Sequence, residues 1–358
     1  MLKILIDARM LGPQIHGIAR YVKDLIQGLS EKGFEISIIT HSGLEKNLIG
    51  KNFITSELKC HAPFASPFEA LALSLLDYKK FDLVHFPSFS VPMRFPPNGI
   101  VTIHDLIHLY PPSKLSHQIY FKGILKPSLR HALGIITVSQ WTKRELSQYL
   151  NINLEKITVV RNGIRDSLLV SSLDSNKGIT LPNSPYFICV TNSKPHKNLI
   201  TLINACKALW KSSSQFKLVI VSDLEKAPSE WPLNSAEREQ IIFFSKISDV
   251  SLTSLLSNAK ALVSPSLFEG FNYPAAESLA LGVPVILSRG SAHDEMNLKG
   301  SCIYGDPKDD RALSKMLSEF LTSSSTVATE NPPRFEDMIS ETIKVYYAAL
   351  KLQSNDFL

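Results

Sequence analysis

Two carboxylates, Glu269 and Glu277, stand eight residues apart in SPSLFEGFNYPAAESLALGVPVILS (residues 264–288), a stretch otherwise suited to burial. An ionised carboxylate left unpaired in an apolar interior is costly. Either both acids face water or a partner meets them. ALVSPS reads as a strand, LFEGFNY as a loop, Pro274 as the first helical residue and Gly282 as the stop before the strand VPVILS. Glu269 then falls in the loop and Glu277 in the first helical turn, both beyond the strand's carboxyl end. A carboxylate there can accept hydrogen bonds from two adjacent hydroxyls, while N–H groups at a helix start donate to anionic or hydroxyl oxygens. A nucleotide sugar offers both kinds of partner. The plainer alternative is that Glu277 complements the helix dipole and Glu269 sits in water.

Three further residues could join such chemistry. Lys197, in PHKN, directly precedes the helix NLITLINA, so its cation and the helix N-terminus can face one anion. His104 ends the strand IVTIH, with Asp105 placed to brace the next loop. Gly17, in HGIARY, opens a helix after the first strand and lets backbone approach a phosphate. Each also fits an ordinary role: an exposed loop lysine, a packed histidine, a turn glycine.

The elements that must position these residues follow a repeated pattern, a short β-rich run ending in a polar loop and then a helix. LKILID, EISIIT, DLVHFPS, IVTIHD, GIITVS and ITVV are the strands of a first half. The helices GIARYVKDLIQGLSEKG, ended by Gly33, and WTKRELSQYL, capped by Ser139, lie between them. After a polar passage, SSLDSNKGITLPNSP, taken as a linker, the pattern restarts with YFICVTNS, KLVIVS, IIFFSKI, ALVSPS and PVILS, then closes on a helix around PRFEDMISETIKVYYAALKL. Alternating strands and helices predict an α/β protein with two Rossmann-like doubly wound domains, residues 1–168 and 184–330. Ligands of such sheets bind beyond the strands' carboxyl ends, and two crevices most simply face each other across one cleft.

The totals agree. A chain of 358 residues is long for one core and natural for two. A net charge of +5 without a long Lys/Arg block argues against nucleic acid. Cys60, Cys189, Cys206 and Cys302 are scattered and read as buried thiols in a reducing compartment. Asp7 and Arg9 cut the first apolar run too short for a signal peptide, and no segment reaches the roughly 18 apolar residues of a membrane span. A cytoplasmic location is expected, with peripheral contact to the inner face of the cytoplasmic membrane through FASPFEALALSLLDYKK as a further expectation beside an ordinary core helix.

FEGFNYPAAESLALGVPVI resembles the E-x7-E segment of glycosyltransferase family 4, retaining enzymes of the GT-B fold. ILIDARM with HGIARYVKDLIQGL, IVTIHDLIHL, GIITVSQWTKRELSQYL with EKITVVRNGI, and YFICVTNSKPHKNLITLINA resemble the family's other blocks in the same order, over roughly residues 2 to 290. The resemblance implies that Glu277 holds the ribose hydroxyls of the donor. It implies that Glu269 holds hydroxyls of the transferred sugar, with backbone N–H groups of Gly270, Phe271 and Asn272. Lys197 would contact the diphosphate and His104 the donor sugar. The last helix, about 334–352, would return to the first domain. Two departures stand out. Thr191 and Asn192 occupy a loop where many members carry glycine and then arginine, so Asn192 is placed among the donor-binding residues and Lys194 or His196 would assist Lys197. Arg161 stands where proline is common.

The implied reaction is retaining transfer of a hexosyl group from a nucleoside diphosphate sugar, GDP-mannose favoured, to a saccharide or lipid-linked saccharide of a surface polysaccharide. No cofactor beyond the donor is expected, and no DxD-type aspartate pair is placed for a metal. Two alternatives stay open: another enzyme on the same plan, such as a phosphorylase or an epimerase, and an inactive sugar-nucleotide-binding partner subunit.

Overall fold

The expected apolar runs form strands, and two short ones join them. In the computed structural model β1 (Lys3–Asp7), β2 (Glu35–Thr40), β3 (Ser56–Lys59), β4 (Leu83–Phe86), β5 (Gly99–Ile103), β6 (Gly134–Thr137) and β7 (Ile157–Val159) make one parallel sheet. Their order is β3-β2-β1-β4-β5-β6-β7. A second parallel sheet holds β8 (Tyr186–Val190), β9 (Lys217–Val221), β10 (Ile241–Phe244), β11 (Ala261–Ser264), β12 (Val285–Ser288) and β13 (Cys302–Tyr304), in the order β10-β9-β8-β11-β12-β13. The structure describes residues 2–12, 17–41, 45–62, 67–111, 113–165, 179–212, 215–296, 302–322 and 333–351. Most of the linker expected at 171–185, and most of the low-complexity stretch LTSSSTVATENPP at 321–333, lie outside them.

Both sheets are covered on two faces, as parallel sheets require. In β1, Leu5 enters one apolar cluster while Ile4 and Ile6 enter the other. In β8, Phe187 and Cys189 face one side and Tyr186 and Ile188 the other. Strand alternation thus feeds two cores per sheet. The chain divides into two compact units at Gly163 and again at Phe335. The last helix, Phe335–Leu350, packs into the first unit: Phe335, Met338, Ile339 and Tyr346 share a core with Tyr21, Val22 and Leu25 of the helix Gly17–Glu31. Tyr346 also meets His85 of β4, whose imidazole lies 2.6 Å from the phenol oxygen and 2.7 Å from Thr102 Oγ1.

Sheet order locates the two crevices. It reverses between β1 and β4 in the first unit and between β8 and β11 in the second. At the first reversal a buried ion cluster fills the space beyond the strand ends. Arg9 donates to both carboxylate oxygens of Asp7, to Glu69 Oε1 and to Ser90 Oγ. These side chains are almost wholly buried, so each charge depends on the others.

Candidate functional site

The second reversal holds the residues of the opening argument. Beyond β8 the chain makes a 3₁₀ turn, Pro195–Lys197, and Asn198 takes a left-handed backbone (φ 54°) before the helix Leu199–Lys211. Asn198 Nδ2 donates to the carbonyl of Pro265 at 3.0 Å, and Leu267 N donates to His196 O at 2.8 Å. These bonds fasten the PHKN turn to the SPSLFE loop beyond β11. Lys197 Nζ then reaches Glu269 Oε1 at 2.7 Å. Their side chains are 19% and 12% exposed, so the pair is shielded yet open to a ligand.

Burial would raise the Glu269 carboxyl, but the charge and hydrogen bond of Lys197, with a hydrogen bond from Ser266, outweigh it and hold the group below its usual range. Glu269 is therefore an anion at neutral pH and an acceptor for hydroxyl donors.

The loop after Glu269 is set by Asn272, which adopts positive φ (79°) and caps the helix Tyr273–Ala280 by accepting from Ala275 N. Its amide donates to Ser264 Oγ at 3.0 Å and to His293 Nε2 at 2.8 Å. His293, wholly buried on the turn Ala292–Glu295, lies with Nδ1 3.0 Å from the carbonyl of Ser288. A carbonyl can only accept, so Nδ1 carries the proton and Nε2 is left to accept from Asn272. The ring is neutral, in keeping with burial holding its pKa below the usual histidine range. Ala292 N donates to Glu269 O, which closes the loop from its other end.

Glu277 is buried on the same helix, in its second turn: Asn272 is the cap and Tyr273 the first helical residue. This corrects the first-turn placement, and Pro274 becomes the second helical residue. The helix ends as expected, with Gly282 at φ 72° and bonds from Gly282 N to Leu279 O and from Val283 N to Ser278 O.

Asn192 does not join the Lys197–Glu269 pair through any bond that positions it there. Its Oδ1 accepts from Lys194 N at 3.1 Å, while Ser193 is bound through N and Oγ to Asp223. Gly270 and Phe271 lie in the Glu269 loop, the Phe271 ring edge-on to Tyr273. His104 and Gly17 belong to the first unit. His104 is 9% exposed; its Nε2 donates to Pro87 O at 3.1 Å and its ring meets Tyr21 edge-on. Asp105 braces its loop by accepting from Ile107 N. Gly17 begins the helix Gly17–Glu31 and is exposed. Sequence reasoning missed His293, Asn198 and Asp223. PHKN held a signal for Asn198, since asparagine tolerates left-handed backbone; nothing local marked His293. Among the described residues no group of three His, Cys, Asp or Glu side chains could hold a metal ion.

Two parallel α/β units, with a lysine–glutamate pair at a switch point, are the frame of a GT-B glycosyltransferase. Family models bear this out: "Glycosyltransferase Family 4" matches residues 15–168 and "Glycosyl transferases group 1" matches residues 173–336. The chain belongs to this glycosyltransferase family. Among curated relatives it is 27% identical to the O-antigen chain mannosyltransferase RfbU of Salmonella typhimurium, over 74% of this chain and 72% of that protein. It is 25% identical to O-antigen chain mannosyltransferase B of Escherichia coli, over 71% and 68%. Among solved structures, a glycosyltransferase from Rickettsia africae superposes with a TM-score of 0.71 at 17% identity, covering 98% of this chain and 99% of that one.

Proposed function

We propose that this glycosyltransferase moves a hexosyl group, mannosyl before others, from a nucleoside diphosphate sugar to a saccharide or lipid-linked saccharide acceptor in surface polysaccharide synthesis. GDP-mannose is the favoured donor, and the reaction runs on the cytoplasmic side. The observation that carries this reading is the 2.7 Å contact between Lys197 and Glu269 at the second sheet's switch point. A cation for the diphosphate and a carboxylate for sugar hydroxyls stand in one place, beside a helix N-terminus. The preference for mannose rests on the activities named for the two curated relatives.

In this reading the arriving diphosphate draws Lys197 away from Glu269, freeing the carboxylate for the sugar hydroxyls as the phosphate takes the cation. Glu277 takes the ribose hydroxyls. Counter-charge comes from Lys197 and backbone donors without a metal; loss of one such donor costs roughly 3 kcal/mol in the transition state. Transfer retains configuration by front-face attack: the acceptor oxygen bonds to the anomeric carbon as its bond to the diphosphate breaks, and the acceptor proton passes to a diphosphate oxygen.

Calorimetric titration with GDP, UDP and ADP tests the site without knowledge of the acceptor. The expected result is saturable binding of GDP, weakened in Lys197→Ala and in Glu277→Ala. Absence of binding by all three nucleotides would overturn the assignment, and a covalent glycosyl-enzyme found by mass spectrometry would overturn the front-face route.

A further inference from the structure

We infer that the last helix positions His104 for the donor through a buried chain of polar groups running from Tyr346 through His85 and Thr102 to Tyr21, which makes these four positioning residues of the transfer reaction. The chain crosses four elements of the first unit. Tyr346, on the helix Phe335–Leu350, has its phenol oxygen 2.6 Å from Nδ1 of His85 on β4, and Nε2 of the same ring lies 2.7 Å from Thr102 Oγ1 on β5. Thr102 Oγ1 is in turn 3.1 Å from the phenol oxygen of Tyr21, on the helix Gly17–Glu31. All four side chains are fully buried. Strand side chains alternate, so Thr102 and His104 share one face of the sheet. The Tyr21 ring bridges them: its hydroxyl is tied to Thr102, while the ring meets His104 at 81° with centroids 4.7 Å apart. His104 has a second hold, Nε2 donating to Pro87 O at 3.1 Å, and Thr142 Oγ1 donates to its backbone carbonyl at 3.0 Å.

Packing alone does not call for these groups. They stand in the apolar core of Ile4, Ile6, Ile100 and Ile136, where phenylalanine and valine would fill the same space without burying polar atoms. A buried polar network that satisfies all its members fixes one arrangement of the side chains that carry it. His85 is neutral, because burial and the nearby His104 hold its pKa down to about 3. A neutral imidazole has one donor and one acceptor nitrogen, so His85 passes the sense of one bond to the other: where Tyr346 donates to Nδ1, Nε2–H donates to Thr102. The hydroxyl that anchors Tyr21 is thus tied to the last helix. His104 follows β5 at its carboxyl end, where ligands of such sheets bind, and the family resemblance gives it the donor sugar. The inference deepens the proposed function and rests on it. A misplaced His104 ring costs turnover and spares nucleotide affinity, which belongs to Lys197 and Glu277.

The test uses the full chain isotope-labelled at histidine Cε1 and observed by NMR, with the His104 signal identified by its loss in His104→Gln. Tyr346→Phe and Thr102→Val each remove one hydroxyl of the chain and keep the shape of the residue. Each should move the His104 signal. Each should also slow the release of GDP from GDP-mannose, with water as the acceptor, by about 10- to 100-fold, while GDP affinity by calorimetry stays at the wild-type value. Thr102→Ser returns the hydroxyl and should bring both readings back towards wild type. A role in packing alone predicts the reverse, with Thr102→Val closer to wild type than Thr102→Ser, because valine keeps the branched shape. A His104 signal unmoved in both hydroxyl variants, or a moved signal with unchanged GDP release, overturns the inference. Absence of GDP binding by the wild type would defeat the nucleotide-sugar reading instead, and the His104 signal of the unliganded variants would still decide whether the chain orients the ring.

Discussion

Lys197 and Glu269 are 72 residues apart in sequence, and 2.7 Å separate the ammonium from the carboxylate. Each comes from a loop beyond one of the two strands, β8 and β11, between which the order of the second sheet reverses. The two charges satisfy each other in the free protein, so a donor must exchange one ion pair for another. Replacing Glu269 by Gln releases Lys197 without emptying its space. GDP should therefore bind Glu269→Gln at least as tightly as wild type by calorimetry, while sugar transfer falls by about 10²- to 10³-fold. Weaker GDP binding would show that Glu269 supports the nucleotide rather than competing with it.

The same pair sets an acid limit. The folded-state carboxyl of Glu269 lies below its ordinary value of 4.5, so its contribution to stability is present above that pH and is lost as pH falls through the folded value. In Lys197→Met the main depressing charge is gone. Unfolding by urea at pH 7 and pH 4 should show a smaller pH difference for the variant than for the wild type.

His85 titrates in the opposite chemical sense but with the same direction of stability. Burial lowers its pKa from 6.5 to about 3, so the unfolded chain takes up a proton below pH 6.5 that the folded chain refuses. Stability is full above pH 6.5 and falls towards pH 3. At pH 4.5 the loss from this group is about 2–3 kcal/mol. His85→Gln, which keeps polar atoms near Tyr346 and Thr102, should flatten the dependence of urea midpoint on pH between 6.5 and 4.5.

His293 acts on the site through Asn272. His293→Phe removes the acceptor for the Asn272 amide and the donor to Ser288 O inside a closed core. A buried polar group left without its partner costs about 1–3 kcal/mol. Thermal denaturation should show that loss, and GDP affinity should fall with it because the Gly270–Asn272 backbone loses its anchor. Unchanged GDP affinity would confine His293 to a stabilising role.

Gly28 marks the contact between the helix Gly17–Glu31 and the helix Phe335–Leu350. A Cβ there would stand 2.5 Å from two side-chain atoms of Ile339 and 2.8 Å from Phe335. Gly28→Ala should destabilise the chain by about 1–3 kcal/mol through overpacking, read as a lower Tm. Adding Ile339→Val should recover part of it.

The central strands were legible because both their faces are buried and their apolar runs are nearly unbroken, as in KILID, GIVTI and KLVIV. The edge strands β3 and β13 were not. SELK has no apolar run, and CIY is only three residues long. The helix Asp310–Thr322 did carry a signal, since Leu313 and Leu317 are spaced by one turn and buried, but it runs straight into the low-complexity stretch LTSSSTVATENPP, which blurs its period. The glutamate spacing was readable; the turn occupied by Glu277 was not, because Pro274 reads as the first helical residue, whereas Asn272 is the cap through its Oδ1 accepting from Ala275 N. The Asp7–Arg9–Glu69 cluster was equally hidden, because Arg9 and Glu69 meet across 60 residues.

The return of the helix Phe335–Leu350 to the first unit imposes an order of maturation on the nascent chain. Residues Ile164 to Arg334, all of the second unit, leave the ribosome before Tyr346 can close over His85 and before Ile339 can seat on Gly28. The first unit begins synthesis earliest and is completed last. A message cut short just before Phe335 would encode every strand of both sheets and still leave the first core open along the whole length of one missing helix.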